Sequence, residues 1–382
     1  MNHIPLSLYI HIPWCVRKCP YCDFNSHEAN NGNSRQLPEA EYIAALLQDL
    51  QQDAELAQGR EIKTIFIGGG TPSLFSAASY DHLLQQIHQI IPIATDAEIT
   101  LEANPGTFEY EKFAGFRAAG INRLSIGVQS FNEHQLKALG RIHNGNEAVS
   151  AIRAARDVGF EKLNIDLMHG LPGQTVSDAL ADLQQAVDLQ PSHLSWYQLT
   201  IEPNTVFYSK PPSLPGDDDL GDIEDAGFAL LQSAGFDRYE TSAFALDGFQ
   251  CQHNLNYWRF GDYLAIGAGA HGKITDTEQG IITRYQKTRL PNDYLDNTRA
   301  FTAKHNQVAT NDLPFEFFMN TLRLHEPIAK TLFSERTFLS ADVVQDNIQQ
   351  ALAKQLLTET STHWQTTELG QRFLNTLLNL FH

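Results

Sequence analysis

Residues 9–24 read YIHIPWCVRKCPYCDF and contain three of the four cysteines of the chain. Cys15, Cys19 and Cys22 follow the spacing C-x3-C-x2-C, whereas Cys251 stands alone far along the chain. Four cysteines are too few for a disulfide framework, and three thiols within eight residues indicate metal or redox chemistry instead. The thiols directly follow an apolar run, so we expect them at the end of a strand.

Two kinds of metal site fit three clustered thiols. Thiolates hold iron–sulfur clusters, and three protein ligands on a four-iron cube leave one iron open for an exogenous ligand. A structural zinc site would instead need a fourth ligand such as His11 or His27. Structural zinc sites usually pair a close C-x-x-C with a second pair far along the chain, and this sequence has no second pair. The cluster is therefore the favoured interpretation.

The composition describes an ordinary globular chain of 382 residues, with 42% hydrophobic and 19% charged residues. This length suggests two domains, or one large domain with an appendage. The formal net charge of −18 disfavours binding to nucleic acid phosphates and to anionic lipid. The sequence has no apolar run of about 18 residues and no signal-peptide layout, which predicts a cytoplasmic protein that is not an integral membrane protein.

Six short apolar runs alternate with amphipathic stretches over the first two thirds of the chain. This order predicts an α/β fold with a parallel sheet, either a barrel or an open doubly wound sheet. Sites in such folds lie beyond the carboxyl ends of the strands, where the cysteines, the triplet 68–70 and Glu102 fall. The predicted strands are Ser7–His11, Thr64–Gly68, Ile99–Ala103, Arg123–Val128, Lys162–Met168 and His193–Leu199.

The strand–helix alternation is expected to stop near residue 300. The remaining pattern predicts helices at 313–324, 340–354 and 368–380, with a polar hairpin near 357–366, which suggests a small winged-helix-like domain. Such domains often bind DNA, but residues 340–382 contain two basic residues against four acidic ones. A structural or docking role is favoured for this domain.

The cysteine spacing after a first strand resembles the signature of radical S-adenosylmethionine (SAM) proteins. The segment Gly68-Gly69-Gly70-Thr71-Pro72 looks like the glycine motif with which that superfamily binds SAM. The resemblance implies a partial (β/α)6 barrel, a [4Fe–4S] cluster on the three cysteines, and SAM on its open iron. By the same resemblance, the SAM contacts would come from Tyr9, Gly69, Gly70, Thr71, Glu102, Gln129, Arg141 and Asp166.

A second segment, residues 251–258 (CQHNLNYW), places a histidine beside two large aromatic residues that could cover a flat apolar ring. It resembles the H-N-x-x-Y-W motif of the HemW-type radical SAM haem chaperones, as does CDFNSH at residues 22–27. The resemblance implies that His253 binds haem and that the haem goes to membrane haemoproteins such as respiratory cytochromes. It also implies a haem donor such as bacterioferritin and transient contact with the inner face of the membrane.

These patterns together predict a radical SAM barrel over residues 1–210, an extension with the haem motif over 211–300, and a small C-terminal helical domain over 301–382. The main alternative is a sister enzyme, the oxygen-independent coproporphyrinogen III dehydrogenase. Members of that enzyme family carry an additional cysteine where this chain has Phe24, and they extend by several dozen residues ahead of the first strand. Both departures favour the chaperone and predict no dehydrogenase activity. An RNA-modifying radical SAM enzyme and a non-catalytic zinc scaffold are remoter alternatives.

Overall fold

The computed structural model describes residues 4–29, 37–106 and 109–382. The strands of these residues are β1 Leu6–Ile12, β2 Trp14–Cys15, β3 His27–Glu28, β4 Ile62–Gly69, β5 Ile93–Ala103, β6 Arg123–Gln129, β7 Lys162–His169, β8 His193–Gln198, β9 Asp237–Glu240, β10 Ala243–Ala245, β11 Asp262–Ile266, β12 His271–Asp276, β13 Ile281–Lys287, β14 Thr302–Gln307, β15 Ile328–Ala329, β16 Leu357–Glu359 and β17 His363–Thr366.

The α-helices lie between and after these strands. They are α1 Glu39–Asp53, α2 Ala77–Ile90, α3 Glu109–Ala118, α4 Glu133–Ala138, α5 Gly145–Asp157, α6 Val176–Asp188, α7 Val206–Ser209, α8 Asp217–Ser233, α9 Gln252–Trp258, α10 Pro291–Tyr294, α11 Leu313–Thr321, α12 Lys330–Thr337, α13 Gln345–Ala353, α14 Glu368–Arg372 and α15 Leu374–Leu378. None of the helices in the described ranges is long and apolar enough to cross a membrane.

Twelve strands form one sheet in the order β14-β13-β12-β11-β1-β4-β5-β6-β7-β8-β10-β9. The run from β1 through β4 to β8 is parallel, which confirms the six predicted strands and the predicted α/β fold with a parallel sheet. These strands neighbour each other in sequence order, so their right-handed crossovers place the connecting helices in one layer on the same face of the sheet. All seven residues of β6 are buried.

The strand β11 adds a seventh parallel strand on the free side of β1, with Tyr9 opposite Ala265. This pairing brings α9, which lies more than 200 residues beyond the cysteine loop, against β1 and β4. The sequence analysis placed the haem motif in an extension after the barrel. The helix α9 packs near the amino ends of β1 and β4, where Asn256 contacts Ser7 and His253 contacts Thr64, whereas the cysteines follow the carboxyl end of β1.

The C-terminal part has its own apolar core, in which Phe318 stacks on Phe381 with ring centroids 4.0 Å apart and packs against Trp364. The predicted hairpin is β16–β17. The predicted helix 313–324 ends at Thr321, the helix 340–354 begins as a 3-10 turn over Ala341–Val344, and the helix 368–380 is interrupted at Phe373.

Three elements of this region were not predicted, namely β14, the two-residue strand β15 and the helix α12. The strand β14 lies beyond residue 300 yet pairs with β13 in the large sheet, and it was missed because it is an edge strand of mostly exposed polar residues. The helix α12 buries only Phe333 and Thr337, so its sequence has little apolar periodicity. The domain limits at residues 210 and 300 remain a proposal.

Candidate functional site

Two adjoining cavities open at the carboxyl ends of the parallel strands. The cluster cavity, of about 340 Å³, is lined by the three clustered cysteines and by polar residues from β5 to β8. The aromatic cavity, of about 650 Å³, is lined by residues of β1, β4, α9 and the loop at 267–271. Phe24, Gly69 and Glu102 border both cavities. The two sequence segments that pointed to function therefore meet at one place.

The thiols of Cys15, Cys19 and Cys22 are half-buried and face the cluster cavity. Burial raises the pKa of the Cys15 and Cys22 thiols, and the guanidinium of Arg141 donates from Nη1 to the sulfur of Cys19 at 3.6 Å. Three thiols on one loop that face one cavity fit the ligand set of an iron–sulfur cluster. Bound to iron, they would be deprotonated to thiolates. Within the described part of the chain, no three His, Cys, Asp or Glu side chains form a group that could hold a single metal ion.

The glycine motif, residues 68–72, packs closely against the end of β1 and the residues that precede Cys15. Gly69 has φ +112°, and a Cβ there would lie 2.4 Å from the ring of His11. A Cβ on Gly70 would lie 2.5 Å from the carbonyl oxygen of Trp14, and the amide of Thr71 donates to that same oxygen at 2.7 Å. Only glycine fits these two positions, and the bare backbone forms part of the cavity wall.

The other polar side chains predicted at the strand ends also line the cluster cavity, namely Glu102, Gln129, Arg141 and Asp166. Arg141 is fixed by Nη2, which donates to Asn104 Oδ1 at 2.7 Å and to the carbonyl of Gly127 at 2.6 Å. Gln129 ends β6 in the left-handed region, with φ 71°, and accepts a hydrogen bond from the hydroxyl of Tyr197 at 2.8 Å. A non-glycine residue in that region is uncommon and is often associated with function.

Two carboxyl groups of this wall lie close enough to repel each other. Burial, and secondarily the charge of Asp166, raises the pKa of Glu102 to about 7. Asp166 accepts hydrogen bonds from Ser125 Oγ at 3.0 Å and Asn164 Nδ2 at 2.7 Å, and neither carboxyl group forms an ion pair among the described residues. Only Asp166 of the two is influenced by a neighbouring cation, Arg141, and at a distance beyond an ion pair, so this wall suits a cationic ligand.

We expect the variant Glu102→Gln to stabilise the ligand-free protein, and more strongly at pH 8 than at pH 5. The folded-state pKa of about 7 lies above the ordinary glutamate value, so the contribution of Glu102 to stability is present at low pH and is lost as pH rises through 7. Glutamine cannot ionise, which should raise the free energy of unfolding at pH 8 by about 1–3 kcal/mol. Urea unfolding at both pH values measures this. An equal effect at the two pH values would contradict the assignment.

Some residues of the two cavities lie elsewhere than predicted or were not predicted at all. Tyr9 lines the aromatic cavity rather than the cluster cavity, and its hydroxyl lies 2.9 Å from His11 Nδ1. Its contact with SAM stays a prediction. Asn104 lies in the segment 102–105 that ends the third predicted strand and lines the cluster cavity as expected, whereas Ser195 and Tyr197 line it but were not predicted. The signal for the last two was the spacing of two along β8, which points both side chains to the same face.

The aromatic cavity is bordered by aromatic rings from several elements, among them Tyr9, Phe66, Tyr257, Trp258 and Tyr263. His253 lies in its wall and is 1% exposed. Its Nδ1 lies 2.8 Å from Thr64 Oγ1 and its Nε2 lies 3.0 Å from the hydroxyl of Tyr257. Burial lowers the pKa of His253 to about 3, so the imidazole is neutral at physiological pH.

The side chains of His271 and Cys251 are also of types that bind metals. His271 lines the same cavity and is exposed at its rim. Cys251 is buried at the start of α9, outside the linings of both cavities, and its amide donates to the hydroxyl of Tyr239. Burial raises the pKa of its thiol to about 11. Cys251 is therefore separated from the three clustered cysteines in space as well as in sequence.

Residues 9–186 match the model of the Radical SAM superfamily, and residues 308–373 match that of the HemN C-terminal domain. The fold, the three-thiol loop and these matches define a radical SAM protein. The chain is 54% identical to the haem chaperone HemW of Escherichia coli (strain K12), over 99% of this chain and 98% of that protein. It is 33% identical to the haem chaperone HemW of Bacillus subtilis (strain 168), over 93% of each. The chain thus belongs to the HemW family.

A solved structure gives the same picture of the fold. The coproporphyrinogen III oxidase HemN of Escherichia coli, described as a radical SAM enzyme, superposes with a TM-score of 0.83 at 25% identity. The match covers 99% of this chain and 90% of the HemN chain. The whole chain, including the C-terminal part, therefore has the architecture of that enzyme.

Proposed function

We propose that this protein binds haem in the aromatic cavity and passes it to membrane haemoproteins such as respiratory cytochromes. The observation that carries this proposal is a cavity of about 650 Å³, walled by aromatic rings, with the neutral imidazole of His253 in its wall. Flat apolar rings pack well on aromatic faces, and a neutral imidazole is a common ligand of haem iron. The relatives named haem chaperones, at up to 55% identity over nearly the whole chain, support the same function.

We further propose that the cluster cavity holds a [4Fe–4S] cluster and SAM. Cys15, Cys19 and Cys22 would hold the cluster, which supplies one-electron chemistry when bound. Arg141 donates hydrogen bonds to the sulfur of Cys19 and to Asn104. These bonds link the cysteine loop to the residues that follow β5. Gly69, Gly70 and Thr71 would offer backbone groups to the methionyl end of SAM.

The acidic side of the cluster cavity supports a cationic ligand. Glu102 and Asp166 would face the positive charge of SAM, which would offset the burial and the repulsion from Asp166 that raise the pKa of Glu102. Gln129 and Tyr197, joined by their hydrogen bond, would complete the polar wall for the rest of the ligand. Tyr9 would contact SAM from the side of the aromatic cavity.

At the rim of the aromatic cavity, Arg289 offers a charge partner for the propionate groups of haem. Its side chain is exposed, and its Nε lies 3.3 Å from Asn25 Oδ1, which orients the guanidinium beside the opening. Guanidinium groups bind carboxylates through paired hydrogen bonds. The half-exposed rim leaves one edge of the haem accessible to an acceptor. We propose a cytoplasmic location with transient contact at the inner face of the membrane, and a haem donor such as bacterioferritin.

Coproporphyrinogen III dehydrogenase activity is the second candidate function, because the fold superposes on that of HemN with a TM-score of 0.83. Against it, Phe24 stands where that enzyme family has a further cysteine. The ring of Phe24 borders both cavities and is 62% exposed, so it offers an apolar surface between them and no thiol. The position therefore suits the covering of an apolar ligand.

Haem transfer tests the proposed function directly. The anaerobically reconstituted protein is loaded with haem and mixed with membranes that contain an apo-cytochrome of the respiratory chain. We expect the cytochrome spectrum to appear in the membrane fraction while the haem spectrum of the carrier disappears. Membranes that already contain the holo-cytochrome are the control. Retention of haem by the carrier over the same period would contradict delivery, though not haem binding.

A further inference from the structure

Two contacts hold the end of α9 against the C-terminal part of the chain. The guanidinium of Arg323, two residues after α11, lies over the ring of Trp258, with its Cζ 4.5 Å from the ring centroid. Arg259, the residue after α9, forms an ion pair with Glu326 through two hydrogen bonds of 2.7 Å each. The last residue of the H-N-x-x-Y-W motif is therefore in contact with a part of the protein that the motif itself does not indicate.

The guanidinium of Arg323 is itself fixed in place. Its Nη2 donates to Glu240 Oε2 at 3.2 Å, and the side chain of Glu240 is only 4% exposed. The other carboxylate oxygen of Glu240 accepts from the amide and the hydroxyl of Ser242 at 2.7 and 3.1 Å. Leu324 forms a β-bridge with Glu240, which ties the backbone beside Arg323 to the end of β9. The ion pair and the bridge keep the guanidinium over Trp258, because a buried carboxylate that loses its partner destabilises the fold.

Trp258 lines the aromatic cavity, as does Asn320 of α11. Among the described residues, the indole Nε1 of Trp258 has no hydrogen-bond partner, so no hydrogen bond from the indole fixes the direction of the ring. The cation over its face is the polar contact that orients the ring, and tryptophan is the aromatic side chain that attracts a cation most strongly. One wall of the aromatic cavity is therefore built partly by the C-terminal part of the chain.

We propose that Arg323 is a positioning residue of the haem site, which holds the ring of Trp258 in the wall of the aromatic cavity. Through this contact the C-terminal part of the chain takes part in ligand binding, beyond the structural or docking role that its sequence favours. This inference rests on the proposed function, because it concerns haem in the aromatic cavity. Arg323 lines neither cavity, so it acts on haem through Trp258.

A ring that is already held in place contributes more to affinity than a ring that must first be ordered. A free tryptophan side chain loses rotamer freedom when a ligand packs against it, and this loss is subtracted from the binding free energy. The cation over Trp258 removes that loss in advance. A cation–π contact at a partly exposed site is equivalent to roughly two- to fivefold in affinity, which is about 0.5–1 kcal/mol at 1.4 kcal/mol per factor of ten.

The test is a ferric haem titration of the reconstituted full chain and of four variants. In Arg323→Met, which keeps the length of the side chain but removes its charge, we expect haem affinity to fall roughly two- to fivefold. Arg323→Lys keeps a cation and should recover most of that loss. Trp258→Leu should bind haem more weakly than the wild type. Adding Arg323→Met to Trp258→Leu should cause no further loss, because the guanidinium acts only through that ring.

Arg372→Met is the matched control for these variants. It removes the same kind of side chain from the C-terminal part, where Arg372 pairs with Asp225 of α8 at 2.8 Å on the exposed surface. Arg372 lines neither cavity, so this variant should bind haem like the wild type. Iron–sulfur loading and thermal unfolding report whether each variant is folded.

The outcomes separate this inference from the function on which it rests. If the wild-type chain binds no haem in a saturable manner, the proposed function itself is wrong. If the wild type binds haem and a folded Arg323→Met binds it equally well, Arg323 does not position the ring. An equal loss of affinity in the wild-type and Trp258→Leu backgrounds would indicate a general loosening of the fold, and it would also overturn the inference.

A second comparison covers the case in which Arg323→Met does not fold. This variant leaves the buried carboxylate of Glu240 without its cation, and an unpaired buried charge is strongly destabilising. The comparison is then made in a Glu240→Gln background, which has no charge to leave unpaired. There, too, we expect Arg323→Met to lower haem affinity roughly two- to fivefold. Equal affinities of Glu240→Gln and the double variant would overturn the inference.

Discussion

Replacing Cys15, Cys19 or Cys22 by alanine is expected to abolish iron–sulfur loading completely. The wild-type chain should take up about four irons and four sulfides on anaerobic reconstitution. Each of the three thiols faces the same cavity, and two thiolates cannot hold a four-iron cube. Iron and sulfide analysis, with visible absorption that is bleached on reduction, measures the loss.

Cys251→Ala is the matched control for these variants, because it removes the fourth thiol of the chain from a buried position outside the cluster cavity. It should load iron and sulfide like the wild type. A full cluster in any of the three single variants would contradict the ligand assignment. Stoichiometric zinc in protein purified without oxygen would instead support the zinc scaffold.

The parallel strands were predictable because a strand that is buried on both faces has a nearly continuous run of apolar residues. β6, whose residues are all buried, begins where it was predicted to begin and ends one residue later. An edge strand such as β14 has no such apolar run, because most of its side chains are exposed to solvent and are polar. Pairing between distant strands is also invisible locally, so nothing in residues 262–266 indicated that β11 lies beside β1.

The cluster cavity was predictable for a similar reason. Parallel strands bring their carboxyl ends to one edge, so Glu102, Gln129 and Asp166 could be expected together from their places on three strands. The hydrogen bonds of His253 could not be expected in this way. Its partner Thr64 lies 189 residues away in the chain, and only the packing of α9 on β4 brings the two side chains together.

His253→Ala is expected to weaken haem binding by at least about tenfold and to alter the Soret band, because the loss of an iron ligand should cost no less than the loss of a residue that only orients such a ligand. His253 is the histidine of the H-N-x-x-Y-W motif, and its neutral imidazole lies in the wall of the aromatic cavity. Iron–sulfur loading should be unchanged, since His253 does not line the cluster cavity. Equilibrium titration followed at the Soret band gives both the affinity and the spectrum.

His82→Ala is a suitable control for this variant, because His82 is exposed on α2 and lines neither cavity. It should bind haem like the wild type. If His253→Ala keeps both the wild-type affinity and the wild-type Soret band, His253 is not an iron ligand. The H-N-x-x-Y-W motif would then have a structural role, through the bonds from His253 to Thr64 and Tyr257.

We propose that haem is a ligand to be carried by this protein and that coproporphyrinogen III is not its substrate. One anaerobically reconstituted preparation tests both parts, by haem titration and by product analysis after incubation with coproporphyrinogen III, SAM and a reductant. We predict saturable binding of about one haem per chain, as expected for a single cavity of this kind, and no protoporphyrinogen IX. Multiple turnovers to protoporphyrinogen IX, or the absence of saturable haem binding, would contradict the claim.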